Sequence, residues 1–220
     1  MAPARERAAR AYLRLAFGPA AALYDLLTDQ PAWRRDCRDL GALVEGPRVL
    51  DLGVGCGTSA VEMSRARPAV RHLGLDASGA MLRRARRRAG RAGVGLLLVR
   101  ADALRLPFRE GAFDGATAHS VLYLLPDPAA ALAELHRAVR PGGRLATLEP
   151  RAPGGRLGAA ALRGGIRHAA AMALWRTMSR LHRRYDEETL PARLAAAGFT
   201  GARAWPVLDG FGVMAVATRP

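Results

Sequence analysis

Three glycines at alternate positions, Gly53, Gly55 and Gly57, stand in the stretch VLDLGVGCGTSAVEM (residues 49–63). A buried strand is expected to end in this turn and a helix to follow at once. Glycine lets a backbone approach a ligand closely because no Cβ intervenes. The helix start then offers unpaired N–H groups and a positive dipole end to an anionic group. Spacing bears on the ligand. A dinucleotide fingerprint would carry its third glycine at position 58, which is Thr58. Asp51 precedes the series, and Asp76 ends the next apolar run in HLGLDASGAML. A carboxylate there can accept from both hydroxyls of a ribose. One strand later Asp102, in Ala101-Asp102-Ala103, is placed to accept from an adenine amino group, or to cap the turn before Leu104.

These residues need elements to hold them. Short apolar runs predict strands at 48–54, 70–76, 95–101, 113–119 and 144–149, with two more at 203–207 and 212–218. Continuous rather than alternating apolar character points to a parallel sheet buried on both faces. Helices fill the gaps. One runs from Thr58 to Ala66, and one capped by Ser78 runs to Arg91. A third starts at Asp127-Pro128, buries Val139 and stops at Arg140-Pro141-Gly142-Gly143. A fourth opens at Asp186 and closes at Gly198. The alternation predicts an α/β, Rossmann-like, doubly wound and mainly parallel seven-stranded sheet with helices on both faces. Residues 1–45 read as an N-terminal helical extension or lid, and 46–220 as the main domain. Residues 151–185 read as a helical insertion, with Leu174, Trp175, Met178 and Leu181 on one face and arginines opposite.

Composition bounds the rest. The chain has 220 residues, half of them apolar, which is enough to bury a core. All 34 basic residues are arginine and the formal net charge is +15, so anionic surfaces attract it. Cys37 and Cys56 are too few for a disulfide framework or a cysteine zinc site, and no metal site is expected. No apolar run reaches eighteen residues and no secretory h-region opens the chain. The expected location is the cytoplasm, with peripheral contact to an anionic membrane as an extension of the charge argument.

Four ordered stretches, VLDLGVGCGTSA, GLDASGAMLRRARR, ADALRLPFREGAFDGATAHSVLYLL and ELHRAVRPGGRLATLEP, carry a resemblance. Over about residues 47–150 the chain resembles class I S-adenosylmethionine-dependent methyltransferases. Within these it is similar to the "type 11" group that includes ubiquinone- and menaquinone-biosynthesis enzymes. The resemblance implies that S-adenosyl-L-methionine is the cofactor. Asp51, Gly53, Gly55 and Gly57 would hold its methionine part, and Asp76 its ribose. Ala77 and Met81 would flank the adenine, and Asp102 and Ala103 would meet its edge. His119 would line the pocket by the reacting methyl.

The resemblance also implies methyl transfer to a small hydrophobic, lipid-like or quinone-like metabolite. A base is needed only where the nucleophile must lose a proton. His119 is then the first candidate, because neutral imidazole is available near pH 7, and Tyr24 or Tyr12 come second. Tyr12, Phe17, Tyr24, Trp33, Met172, Trp175 and Met178 are candidate walls of an acceptor pocket, although for any one of them core or helix packing is the first expectation. Asp114 matches a common acid of the family but opens a strand, where a structural role is expected. RNA methylation rests on charge alone, and His119-Ser120-Val121-Leu122 lacks the Pro-Pro-aromatic motif of enzymes acting on base amines; nucleic acid is not the expected partner. A silent S-adenosylmethionine-binding regulator is the alternative from another class.

Overall fold

The computed structural model describes residues 29–220. Helix α1 (Pro31–Ala42) is followed by β1 (Arg48–Leu52), α2 (Thr58–Ala66), β2 (Arg71–Asp76), α3 (Gly79–Ala92) and β3 (Leu97–Arg100). Then come β4 (Phe113–His119), α4 (Pro128–Ala138), β5 (Val139–Pro150), α5 (Leu157–Ser179), α6 (Thr189–Ala196), β6 (Thr200–Val207) and β7 (Gly212–Thr218). The sheet order is β3-β2-β1-β4-β5-β7-β6. Strands β1 to β5 pair in parallel, and β7 runs antiparallel between β5 and β6.

Side chains alternate across a strand, so neighbours serve opposite faces. On β1, Val49 joins a core with Trp33, Cys37 and Leu40 of α1 and Ala171, Met172 and Trp175 of α5. Leu50 and Leu52 join the other, with Leu132 and Leu135 of α4 and Leu190 and Leu194 of α6. Strand β4 is buried throughout. Its Ala116 and Ala118 join the apolar core, and its polar Asp114 and Thr117 are hydrogen-bonded to Arg48 and Asp51.

Several expected boundaries hold. Strands β4 and β7 and helix α2 have the predicted limits, Ser78 accepts from the Met81 N–H, and Asp127 accepts from the Ala130 N–H. Two differ. Helix α4 ends at Ala138 and Val139 already pairs with Phe113, so Arg140-Pro141-Gly142-Gly143 lies within β5. The irregular residues are absorbed as a register shift opposite Phe113 and Gly115, held by Gly142 N–H donating to Arg219 O and Arg219 N–H to Gly143 O.

Helix α6 starts at Thr189, not Asp186. The Asp186 carboxylate accepts from the N–H groups of Glu188 and Thr189 and from the Thr189 hydroxyl, closing a turn ahead of the helix. Helix α5 fills Leu157–Ser179 of the expected insertion at 151–185 and is broken at Gly165 (φ 76°, ψ 179°). Its buried face is His168, Ala171, Met172, Trp175 and Ser179, while Leu174, Met178 and Leu181 are half-buried. Tertiary contacts thus turn the helix away from the orientation its periodicity suggested. No described helix is long and apolar enough to cross a membrane.

Candidate cofactor and acceptor site

The order β2-β1-β4 places a topological switch between β1 and β4, because the chain leaves β1 in one direction and later returns on the other side. Ligands of open α/β sheets bind in the crevice outside the strand ends at such a point. A cavity of about 300 Å³ opens there.

Its floor is the turn after β1. Gly53 has φ +68°, and a Cβ on it would stand 2.4 Å from Val121 Cγ2. Gly57 is the N-cap of α2 at φ +85°, and its Cβ would meet Ala85 of α3 at 2.9 Å. A side chain at either place would meet both strain and collision. The turn is tied to β2 by Val54 N–H donating to Leu75 O and by Gly55 N–H donating to Asp76 Oδ2 at 2.9 Å. Ser78 N–H donates to the other oxygen of Asp76 at 2.8 Å. These bonds fix the carboxylate while leaving each oxygen a further acceptor position. Desolvation raises the pKa of Asp76, and the Ser78 and Gly55 amides oppose it.

Eight expected site residues meet in this cavity: Gly53, Gly55, Asp76, Ala77, Met81, Asp102, Ala103 and His119. Asp102 Oδ1 accepts from Leu104 N–H at 2.9 Å, so the carboxylate caps its turn and lines the cavity together. Two expected cofactor contacts lie elsewhere. Asp51 is fully buried behind the turn and does not line the cavity; it accepts from Ser59 Oγ (2.7 Å) and Thr117 Oγ1 (2.9 Å), joining β1, α2 and β4. Burial pushes it up to about 6 against those two hydrogen bonds. Gly57 is spent on helix packing. Tyr24, Tyr12 and Phe17 lie outside the described residues.

The opposite wall is apolar. Trp33, Val121, Leu124 and Leu125 line it beside His119 and Ser120. The imidazole of His119 meets Trp33 edge to face, with centroids 4.8 Å apart, and Trp33 meets Trp175 in the same way at 5.1 Å. Trp175 and Met172 therefore stand in the core behind the wall, the packing role expected for them, and Met178 does not line the cavity. Among the described residues, His119 Nε2 and Ser120 Oγ are buried polar atoms with no hydrogen-bond partner. Burial lowers His119 to about 4, so it is neutral at pH 7.

One residue of the site escaped the sequence reading. Glu149, at the end of β5, is fully buried and accepts from the N–H groups of Val121 (3.3 Å), Leu122 (2.9 Å) and Tyr123 (3.2 Å). It thereby holds the segment that makes the apolar wall, where Ser120 takes φ 55°. Burial pushes Glu149 up to about 8, opposed by those amides and by Thr147. Its only signal was a lone acid inside the apolar run Ala146-Thr147-Leu148-Glu149-Pro150. Asp114, by contrast, is structural as expected: it bridges Arg48 (3.3 Å) and Arg140 (3.0 Å), away from the cavity.

Fold and cavity together define a Rossmann-like nucleoside-binding domain whose glycine turn is not of the dinucleotide type. Comparison with known proteins narrows this. Residues 50–147 match a family described as "Methyltransferase domain". A demethylmenaquinone methyltransferase of Mycolicibacterium vanbaalenii is 33% identical over 194 residues, covering 84% of this chain and 81% of the relative. One of that name from Thermus thermophilus is 42% identical over 128 residues, 57% of this chain and 58% of the relative, so the chain spans little more than half of that relative's length. A crystal structure of an S-adenosylmethionine-dependent methyltransferase from Thermotoga maritima shares the fold, with TM-score 0.68 at 19% identity over 92% of this chain and 95% of the other. The chain belongs to the S-adenosylmethionine-dependent methyltransferase family.

The residues present fit that cofactor. Asp76 offers fixed acceptors for a diol, Ala77 and Met81 offer apolar surface for a base, and the turn with the first amides of α2 offers donors for a carboxylate.

Proposed function

We propose that this protein transfers a methyl group from S-adenosyl-L-methionine to a small apolar acceptor with a quinone-like ring. The observation that carries the reading is the cavity's two-sidedness. One side is the glycine turn with Asp76; the other is the Trp33, Leu124 and Leu125 wall, where His119 keeps an unpartnered nitrogen. The name shared by the curated relatives supports a ring of this kind.

Bound S-adenosylmethionine would supply a methyl group already activated by its sulfonium charge. The protein's task is then alignment and exclusion of water, which together can lower a barrier by roughly 7–11 kcal/mol in well-oriented systems. Asp76 holds the ribose, Met81 and Ala77 flank the adenine, and Asp102 with Ala103 meets its edge. Trp33, Leu124 and Leu125 keep the acceptor side dry. His119 Nε2 hydrogen-bonds an acceptor hydroxyl and orients the ring; because burial makes it a weak base, proton removal is its second role. Tyr24 is the other candidate for that proton. A quinone-like acceptor with an apolar chain resides in bilayers, so the proposal includes peripheral contact with an anionic membrane.

The test is transfer of labelled methyl from S-adenosylmethionine to a reduced naphthoquinone by the purified protein, with RNA as a parallel acceptor. Label in the organic extract, and a large loss of cofactor affinity in Asp76→Ala, is the expected result. Label in RNA, or equal cofactor binding by wild type and Asp76→Ala, overturns the reading.

A further inference from the structure

Apolar side chains on a folded surface are ordinary when scattered, and informative when large, fully exposed and adjacent. Among the described residues the exposed large hydrophobics are Leu97 (61%), Leu162 (90%) and Ile166 (86%). Leu97 sits alone on the edge strand β3. Leu162 and Ile166 lie four residues apart on α5, on either side of Gly164 and of the break at Gly165. The arginines around them, Arg156, Arg163 and Arg167, are exposed as well. From 151 to 184 the chain carries eight arginines and no acidic residue.

Two contacts fix where this bend lies. His168 Nε2 is 3.2 Å from Asp209 Oδ2, and Gln30 Nε2 donates to Arg167 O at 3.1 Å. Arg163 also pairs with Asp209, at 2.5 Å. Asp209 directly precedes β7, whose first residue Gly212 is the register partner of Pro150, the last residue of β5. On β4, His119 is the partner of Leu148, two residues before Pro150. The bend of α5 is therefore held beyond the same strand ends at which the cavity opens.

We infer that the bend of α5 is a membrane-docking surface: Leu162 and Ile166 enter the acyl boundary while the surrounding arginines meet anionic phospholipid headgroups. The inference rests on the proposed apolar acceptor, which such docking would let enter the cavity without crossing water. The charge pattern selects the occupant. A surface of bare aliphatic side chains ringed by exposed arginines, beside which the side chain of the acid Asp209 is buried and paired with Arg163, complements a negative leaflet. The chain's own overall charge of +15 opposes a second copy of it there.

The test is co-sedimentation of the full chain with phosphatidylcholine vesicles, with and without phosphatidylglycerol. Wild type is expected to bind the anionic vesicles and to lose binding in high salt. Leu162→Ser/Ile166→Ser is expected to bind about tenfold more weakly, and Ile166→Trp more tightly, because aromatic rings favour the interface. Cofactor affinity and turnover of a short, water-soluble naphthoquinol should stay unchanged in the double variant, while turnover of a long-chain acceptor held in vesicles falls. Equal vesicle binding by wild type and double variant overturns the inference. So does a change of oligomeric state in the variant without lipid. Failure of methyl transfer to every acceptor, with vesicle binding intact, would break the proposed function and leave the docking surface standing.

Discussion

The two sides of the cavity are built by different physics. On the cofactor side the backbone carries the construction. Glycines at positive φ close the turn after β1, and the Asp76 carboxylate is gripped by two amides from different elements. On the acceptor side, side-chain packing carries it. Trp33 of α1 leans on Trp175 of α5 and on His119, and the facing segment hangs from the single carboxylate of Glu149. The first side has no room for a side chain at Gly53 or Gly57, where strain and collision coincide. The second can change shape by exchanging one apolar residue for another at modest cost.

Four changes would break or sharpen the contrast, in falling order of expected effect. Gly53→Ala should destabilise the fold by about 2–4 kcal/mol, read as a lower midpoint in urea, since its Cβ meets Val121 in a left-handed backbone. Asp76→Ala should weaken S-adenosylmethionine binding about 100-fold in calorimetry, as charged hydrogen bonds are lost and two amides lose their acceptor. On the other side, His119→Asn should lower kcat about tenfold and leave cofactor affinity alone. Burial depresses His119 to about 4 from 6.5, so the neutral ring persists as pH falls past its ordinary value. The wild-type kcat/KM profile should accordingly show no acid limb near 6.5 from this residue.

The smallest effect belongs to Glu149→Gln. Its folded pKa lies near 8 against an ordinary 4.5. A carboxyl raised in this way contributes stability fully below its unfolded pKa and loses it as pH rises through the folded one. The wild-type Tm should therefore fall between those two values more than that of Glu149→Gln, by about 2–4 °C for each kcal/mol of difference. Equal slopes would show that Glu149 titrates alike in the folded and unfolded chain, against the upward shift that its burial imposes.

Much of the cofactor side was legible in the chain. The alternating glycines, Asp76 at a strand end, the Ser78 and Asp127 caps and the limits of β4 and β7 all depend on residues close in sequence. The departures came where distant segments decide. Asp51 looked like a ligand contact, yet its partner Thr117 lies 66 residues on and turns it into a buried joint. Glu149 looked like an ordinary strand residue, yet the amides it holds lie 26 to 28 residues earlier.

By itself, then, the order of residues determined the strand and helix alternation, the shape of the glycine turn and the acid at the end of β2. These follow from local steric freedom, capping and apolar periodicity. Only the assembled sheet decided which carboxylates reach the cavity and which are sealed behind it, which face of α5 is covered, and that Leu162 and Ile166 are left bare. Burial is set by everything that packs against a residue, and most of that comes from far along the chain.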